Sequence, residues 1–286
     1  MSDLLANPAI QSGAIPFIIA LLVAAALGFP ALGTARLAGL AALAGFLAAY
    51  VVTLGWPPLP PKSSGQKIFY VALIAGVAGS IFEIGKTELK GRLVIGFAIS
   101  AASILWIGWR KVMAAPSLDH LSVLLLLIGT GIAIFAMERD GKDGADKTVP
   151  ILIVSLAMAG IALLGASASI GQNAGALSAA LGGLMILNWP IRRFGLNVIS
   201  RLVPLTVLAS LVAQATLFTS APAWIPALLL PALFADRLVD LWIPAGSHRA
   251  PLARPVFVGF VAAVPAAVAL SAAWFAASSS GMSGGY

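Results

Sequence analysis

Apolar runs of some twenty residues, separated by short polar or basic connections, recur along the whole 286-residue chain. A helix needs about 20 mainly apolar residues to cross a bilayer. A stretch of that length in lipid has to be helical, because lipid offers a free backbone N–H or C=O no partner. On this basis ten segments read as transmembrane helices: 14–32, 36–55, 67–85, 92–109, 120–137, 149–168, 173–189, 196–218, 223–243 and 255–277. The stretch "LGFPALGTARLAG" leaves only a tight hairpin around Pro30 and Arg36 between the first two. The stretch "ASASIGQNAG" carries no charge and reads as a turn at Gly171, Gln172 and Asn173. The fold class is therefore all-α: a polytopic integral membrane protein of about ten transmembrane helices.

Composition supports the same class. Hydrophobic residues make up 60% of the chain and charged residues 9%, against roughly a quarter charged in soluble domains. The first 35 residues hold no Lys or Arg, so the positive region of a secretory signal peptide is missing and no cleaved leader is expected. With no cysteine, disulfide frameworks, thiolate metal sites and iron–sulfur clusters are excluded. The net charge of +7 is dispersed between apolar runs, which points to a lipid bilayer and away from nucleic acid.

The distribution of Lys and Arg sets an orientation. Alternate connections on one side hold Arg36, Lys86, Lys90, Arg92, Arg139, Lys142, Lys147, Arg192, Arg193, Arg249 and Arg254. The other side holds Lys62, Lys67, Arg110 and Lys111. The richer side faces the cytoplasm by the positive-inside bias. Both termini are then non-cytoplasmic, in a multi-pass protein of the cell (inner) membrane. The proline-rich connection "GWPPLPPKSSGQK" reads as a stiff, plain loop between two spans.

A charge-alternating connector, "MERDGKDGADK", lies at the middle of the chain. It divides a first five-helix half, 1–137, from a second, 149–286, with 138–148 as the cytoplasmic link. The Trp-Pro pairs at Trp56 and Trp189 stand 133 residues apart, as do Trp109 and Trp242, while Pro16 and Pro150 stand 134 apart. An odd number of spans per half would invert the second half relative to the first, the plan of many secondary transporters.

Against this apolar background the stretch "LFADRLVDLWIP", 233–244, is unusual. Asp236 and Asp240 share one helix face, with Arg237 turned about 100° away. Arg201 and Glu83 are the other charges read within spans. An ionised side chain at the bilayer centre costs about 2.5–3.5 kcal/mol on insertion scales, so these groups are expected to pair, the three among themselves or with Arg201. Two readings stay open: a proton- or ion-coupled gate, or an interfacial set of salt bridges that fixes helix depth. Gln214 joins the candidates because a primary amide in lipid needs partners. The candidate solute- or ion-binding residues are thus Asp236, Arg237, Asp240, Arg201 and Gln214. Pro204, Pro226, Pro231 and Pro265 concentrate near them, and prolines that interrupt helices can line sites. Ser100, Ser103, Thr130, Ser155, Ser178, Thr206 and Ser210 are the remaining mid-depth polar groups. The pairs Gly96/Ser100, Ala75/Gly79 and Ser178/Gly182 read as close-packing contacts.

Catalytic signatures are missing. There is no HExxH zinc motif, no phosphate loop and no GxSxG elbow. The two histidines, His120 and His248, fall at helix ends or in loops, unsuited to a buried haem. No cofactor and no enzymatic activity are expected. The expected function is a secondary transporter or permease for a small solute or ion. The alternative is a non-catalytic membrane subunit that scaffolds a larger complex through a protein partner.

Overall fold

The apolar runs fold as helices throughout, and no strand occurs among the described residues. The computed structural model describes residues 7–28, 34–85, 88–114, 118–138, 145–165, 167–191, 193–196, 198–219, 222–243 and 250–279. The elements are α1 (Ile10–Leu27), α2 (Leu40–Leu54), α3 (Ser64–Ile84), α4 (Leu89–Ala114), α5 (Leu118–Glu138), α6 (Ala145–Leu164), α7 (Ala168–Ile186) and α8 (Val198–Phe218). Two short pieces follow, α9 (Trp224–Ala227) and α10 (Ala235–Asp240), with a 3-10 turn (Leu230–Phe234) between them, and then α11 (Ala250–Ser279). Among the described residues, six helices are long and apolar enough to cross a membrane: α1, α3, α4, α6, α8 and most of α11. This is a helical membrane protein. Pro30, the central connector at 139–144, His248 and the Gly/Ser-rich tail lie outside the described residues.

The segment expected as a continuous span over 223–243 is broken into three pieces. Pro226 and Pro231 have no backbone N–H, so the i→i−4 ladder fails there. Shorter i→i−3 bonds replace it, from Leu228 N to Ile225 O, Leu229 N to Pro226 O and Ala232 N to Leu229 O. Proline alone does not decide the break, since α8 and α11 run on through Pro204 and Pro265.

Two helices start earlier than their apolar runs. The sixth helix begins at Ala145 and the last at Ala250, so Lys147 and Arg254 sit on helices instead of in connections. Gly171 and Asn173 lie inside α7, and the expected turn falls earlier, where Ser167 N donates to Ala162 O. A Cβ at Gly171 would stand 2.8 Å from Leu163 Cγ, so this glycine serves close approach of α6 and α7. The proline-rich loop is held at its end by a capping box, with Ser63 Oγ accepting from Gln66 N and Gln66 Oε1 accepting from Ser63 N. The Tyr70 hydroxyl donates to the loop carbonyl of Pro57 at 3.0 Å.

Packing is organised around α8, whose most apolar window is 94% buried, against 44% for α3. On one side α3, α4 and α5 pack on α8; on the other, α6 and α7 join α1, α2 and α11. Small residues permit this. A Cβ at Gly183 would stand 2.2 Å from the Phe17 carbonyl oxygen, and one at Gly45 would stand 2.5 Å from that of Pro16. Gly79 lies against the Ile199 backbone and Gly96 against Leu202. Hydroxyls at these contacts bond across or along helices, as the Ser100–Thr206 pair at 3.0 Å and Ser178 to Leu152 O at 3.1 Å do. Absence of a hydrophobic force between helices in lipid makes such contacts the main glue.

Candidate functional site

Two features meet at the broken segment. The first is a buried charge network. Asp146 and Lys147 lie in the first turn of α6, Asp236 and Asp240 on α10, and Arg254 on α11. Lys147 Nζ stands 2.6 Å from Asp236 Oδ2, with both side chains at most 2% exposed. The Arg254 guanidinium donates to Asp146 Oδ2 at 2.5 Å, to Asp240 Oδ1 at 2.6 Å and to the Ile243 carbonyl at 2.9 Å. A further contact reaches the Asp236 carbonyl at 3.4 Å. Three carboxylates thus face two cations. Asp236 Oδ1 has no hydrogen-bond partner among the described residues. Asp146 suits its helix start, where the macrodipole favours negative charge, whereas Lys147 opposes that dipole. The neighbouring Asp236 offsets this.

The second feature is a cavity of about 410 Å³ between α5, α6, α8 and the broken segment. Leu205, Leu208, Ala209, Val212 and Thr216 line it from one stripe of α8. Ser122, Gly129, Thr130 and Ala133 line it from α5, and Trp224, Pro226, Leu230 and Leu233 from the broken segment. Trp224, 57% exposed, marks one end of the cavity. Leu233 and Val154 mark the other. Asp236 follows one helical turn after Leu233, and Lys147 precedes Val154 by two turns. The Lys147–Asp236 pair therefore lies beyond the Leu233 and Val154 end of the cavity.

The five candidate residues divide. Asp236 and Asp240 belong to the network, where Asp236 pairs with Lys147 and Asp240 with Arg254. Arg237 lies with its guanidinium carbon 5.2 Å from the centre of the Phe234 ring. Arg201, 1% exposed, sits at the start of α8 near the α3 terminus, where Glu83 accepts from Val198 N. Gln214, 3% exposed with an unpartnered Nε2, faces away from the cavity; it lies about 200° round α8 from Val212. Lys147 and Arg254 were missed because each precedes its apolar run by a few residues and so resembles an ordinary flanking cation. The adjacent carboxylate Asp146 and the prolines flanking Arg254 and Lys147, Pro255 and Pro150, were the available signals.

Lys67 Nζ bonds the Trp106 carbonyl and Lys111 Nζ that of Leu217. The start of α3, the end of α4 and the end of α8 thus share one end of the bundle. Among the described residues, no three His, Cys, Asp or Glu side chains are grouped so as to hold a metal ion. No protein-family model, curated protein or solved structure matches the chain.

Proposed function

We propose that this chain is a secondary transporter or permease that carries a small solute across the cell inner membrane. The observation that carries the reading is the juxtaposition of a cavity, lined from both halves, with a buried ion-pair network beyond its Leu233 and Val154 end. The network joins α6, α10 and α11, a few residues beyond the breaks at Pro226 and Pro231. Separating Lys147 from Asp236, and Arg254 from its carboxylates, would free α10 to swing and open the cavity towards the other membrane face. Ten crossings arranged as five plus five, with both termini outside the cytoplasm, complete this reading. The shared end of Lys67, Arg110 and Lys111, away from the network, supports that orientation.

The chain has no cysteine, so a single Thr130→Cys reports access without background. In inside-out and right-side-out vesicles, the neutral reagent N-ethylmaleimide, with glutathione trapped in the lumen to quench what crosses, should label Thr130→Cys from one face only. In a Lys147→Met/Asp236→Leu background, labelling should also proceed from the opposite face. A thiol that is labelled from neither face in both backgrounds, in protein that inserts and elutes as a single species, would mark a dry bundle. The transport reading would then give way to a scaffold.

A further inference from the structure

We infer that the cavity binds an uncharged, largely apolar small molecule carrying one hydroxyl- or carbonyl-type group, which deepens the transport reading and rests on it for its consequence. Among the described residues, no charged side chain lines the cavity. The nearest ionic groups are engaged with one another in the network. A carboxylate, phosphate or ammonium entering here would lose its hydration and meet no counter-charge, which burial does not tolerate. A sugar or polyol fares little better, because each of its hydroxyls needs a partner. The wall offers very few. The Thr216 hydroxyl already donates to Val212 O at 2.8 Å, and Ser122 has a partner of its own.

Thr130 is different. It lies midway along the cavity, is 9% exposed, and its hydroxyl has no hydrogen-bond partner among the described residues. A buried hydroxyl left unmet costs about 1–3 kcal/mol, so an occupant that meets it is favoured over one that cannot. This also separates a diffusible solute from a lipid acyl tail, which has nothing to offer Thr130. Trp224 adds an aromatic surface at the exposed end. The volume of about 410 Å³ falls in the range of small-molecule sites, roughly 300–1,000 Å³.

Three probes that share one ring system and differ in charge test the assignment: 1-naphthalenemethanol, 1-naphthoate and 1-naphthylmethylammonium. Each is titrated into the purified full chain in detergent, and the thermal midpoint is followed. The alcohol should raise the midpoint saturably, and the two ions should not. Thr130→Val should weaken the alcohol by up to about tenfold, the worth of one hydrogen bond, and leave 1-ethylnaphthalene unchanged. Ala209→Phe, which fills the cavity, should abolish both shifts. Should Ala209→Phe fail to fold, the Thr130→Val comparison decides alone. Equal stabilisation by an ionic probe overturns the inference. So does a phospholipid found at one per chain by intact-protein mass spectrometry and lost only in Ala209→Phe. If the alcohol binds while Thr130→Cys stays closed to one face in both backgrounds, transport fails and the site stands. If the thiol alternates while the alcohol does not bind, the solute class fails and transport stands.

Discussion

Removing Lys147 tests the electrostatic argument most directly. Its ammonium stands 2.6 Å from Asp236 Oδ2, and the two side chains are 2% and 1% exposed. At an effective dielectric of about 20, unit charges at that separation attract by about 6 kcal/mol. Withdrawing two ions from water costs several kcal/mol each, so the intact pair contributes little net stability. Deleting one partner is another matter, because the survivor keeps its desolvation cost and loses its attraction. Lys147→Met should therefore destabilise the fold by about 3–5 kcal/mol, and Asp236→Leu by a similar amount. The double variant should cost much less than the sum, with a coupling energy of at least about 2 kcal/mol. The assay is denaturation of the purified protein in mixed micelles by increasing SDS, followed by loss of helical circular dichroism. Single substitutions costing less than about 1 kcal/mol, or costs that simply add, would refute the argument that the pair is buried and coupled.

Other outcomes follow from packing and hydrogen bonding. Gly183→Ala should destabilise by about 1–3 kcal/mol, since its methyl would collide with the Phe17 carbonyl 2.2 Å away. Gly175→Ala, whose nearest neighbours are 4.0 Å away, should be neutral or slightly stabilising in the same SDS titration. Ser100→Ala and Thr206→Val, which break a buried 3.0 Å bond between α4 and α8, should show a coupling of about 0.6 kcal/mol in a double-mutant cycle. Arg254→Lys keeps the charge but cannot reach Asp146, Asp240 and the Ile243 carbonyl together. It should lower the thermal midpoint, and Arg254→Met should lower it further.

The positions of the long helices, and the membrane as their solvent, were determined by the sequence alone. Lipid admits no unpaired backbone, so apolar runs such as 196–218 have one available form, and their ends agree with the structure to within a few residues. The close-packing roles of Gly79, Gly96 and Ser178 were legible for a related reason, as small residues are what let helices touch where no hydrophobic force drives them together. Three things were left to the tertiary structure. Ion-pair partners lie far apart along the chain, 108 residues for Arg254 and Asp146, and helix-flanking cations look alike until the helices meet. Proline breaks the chain at Pro226 and Pro231 yet is accommodated at Pro204, because neighbours decide whether the freed carbonyls find partners. Finally, the stripe of α8 that lines the cavity is as apolar as the stripes that pack against α3 and α4. In water the contrast between solvent and core would have marked its faces; with apolar surroundings on every side, only the packing of neighbours separates an inward face from any other.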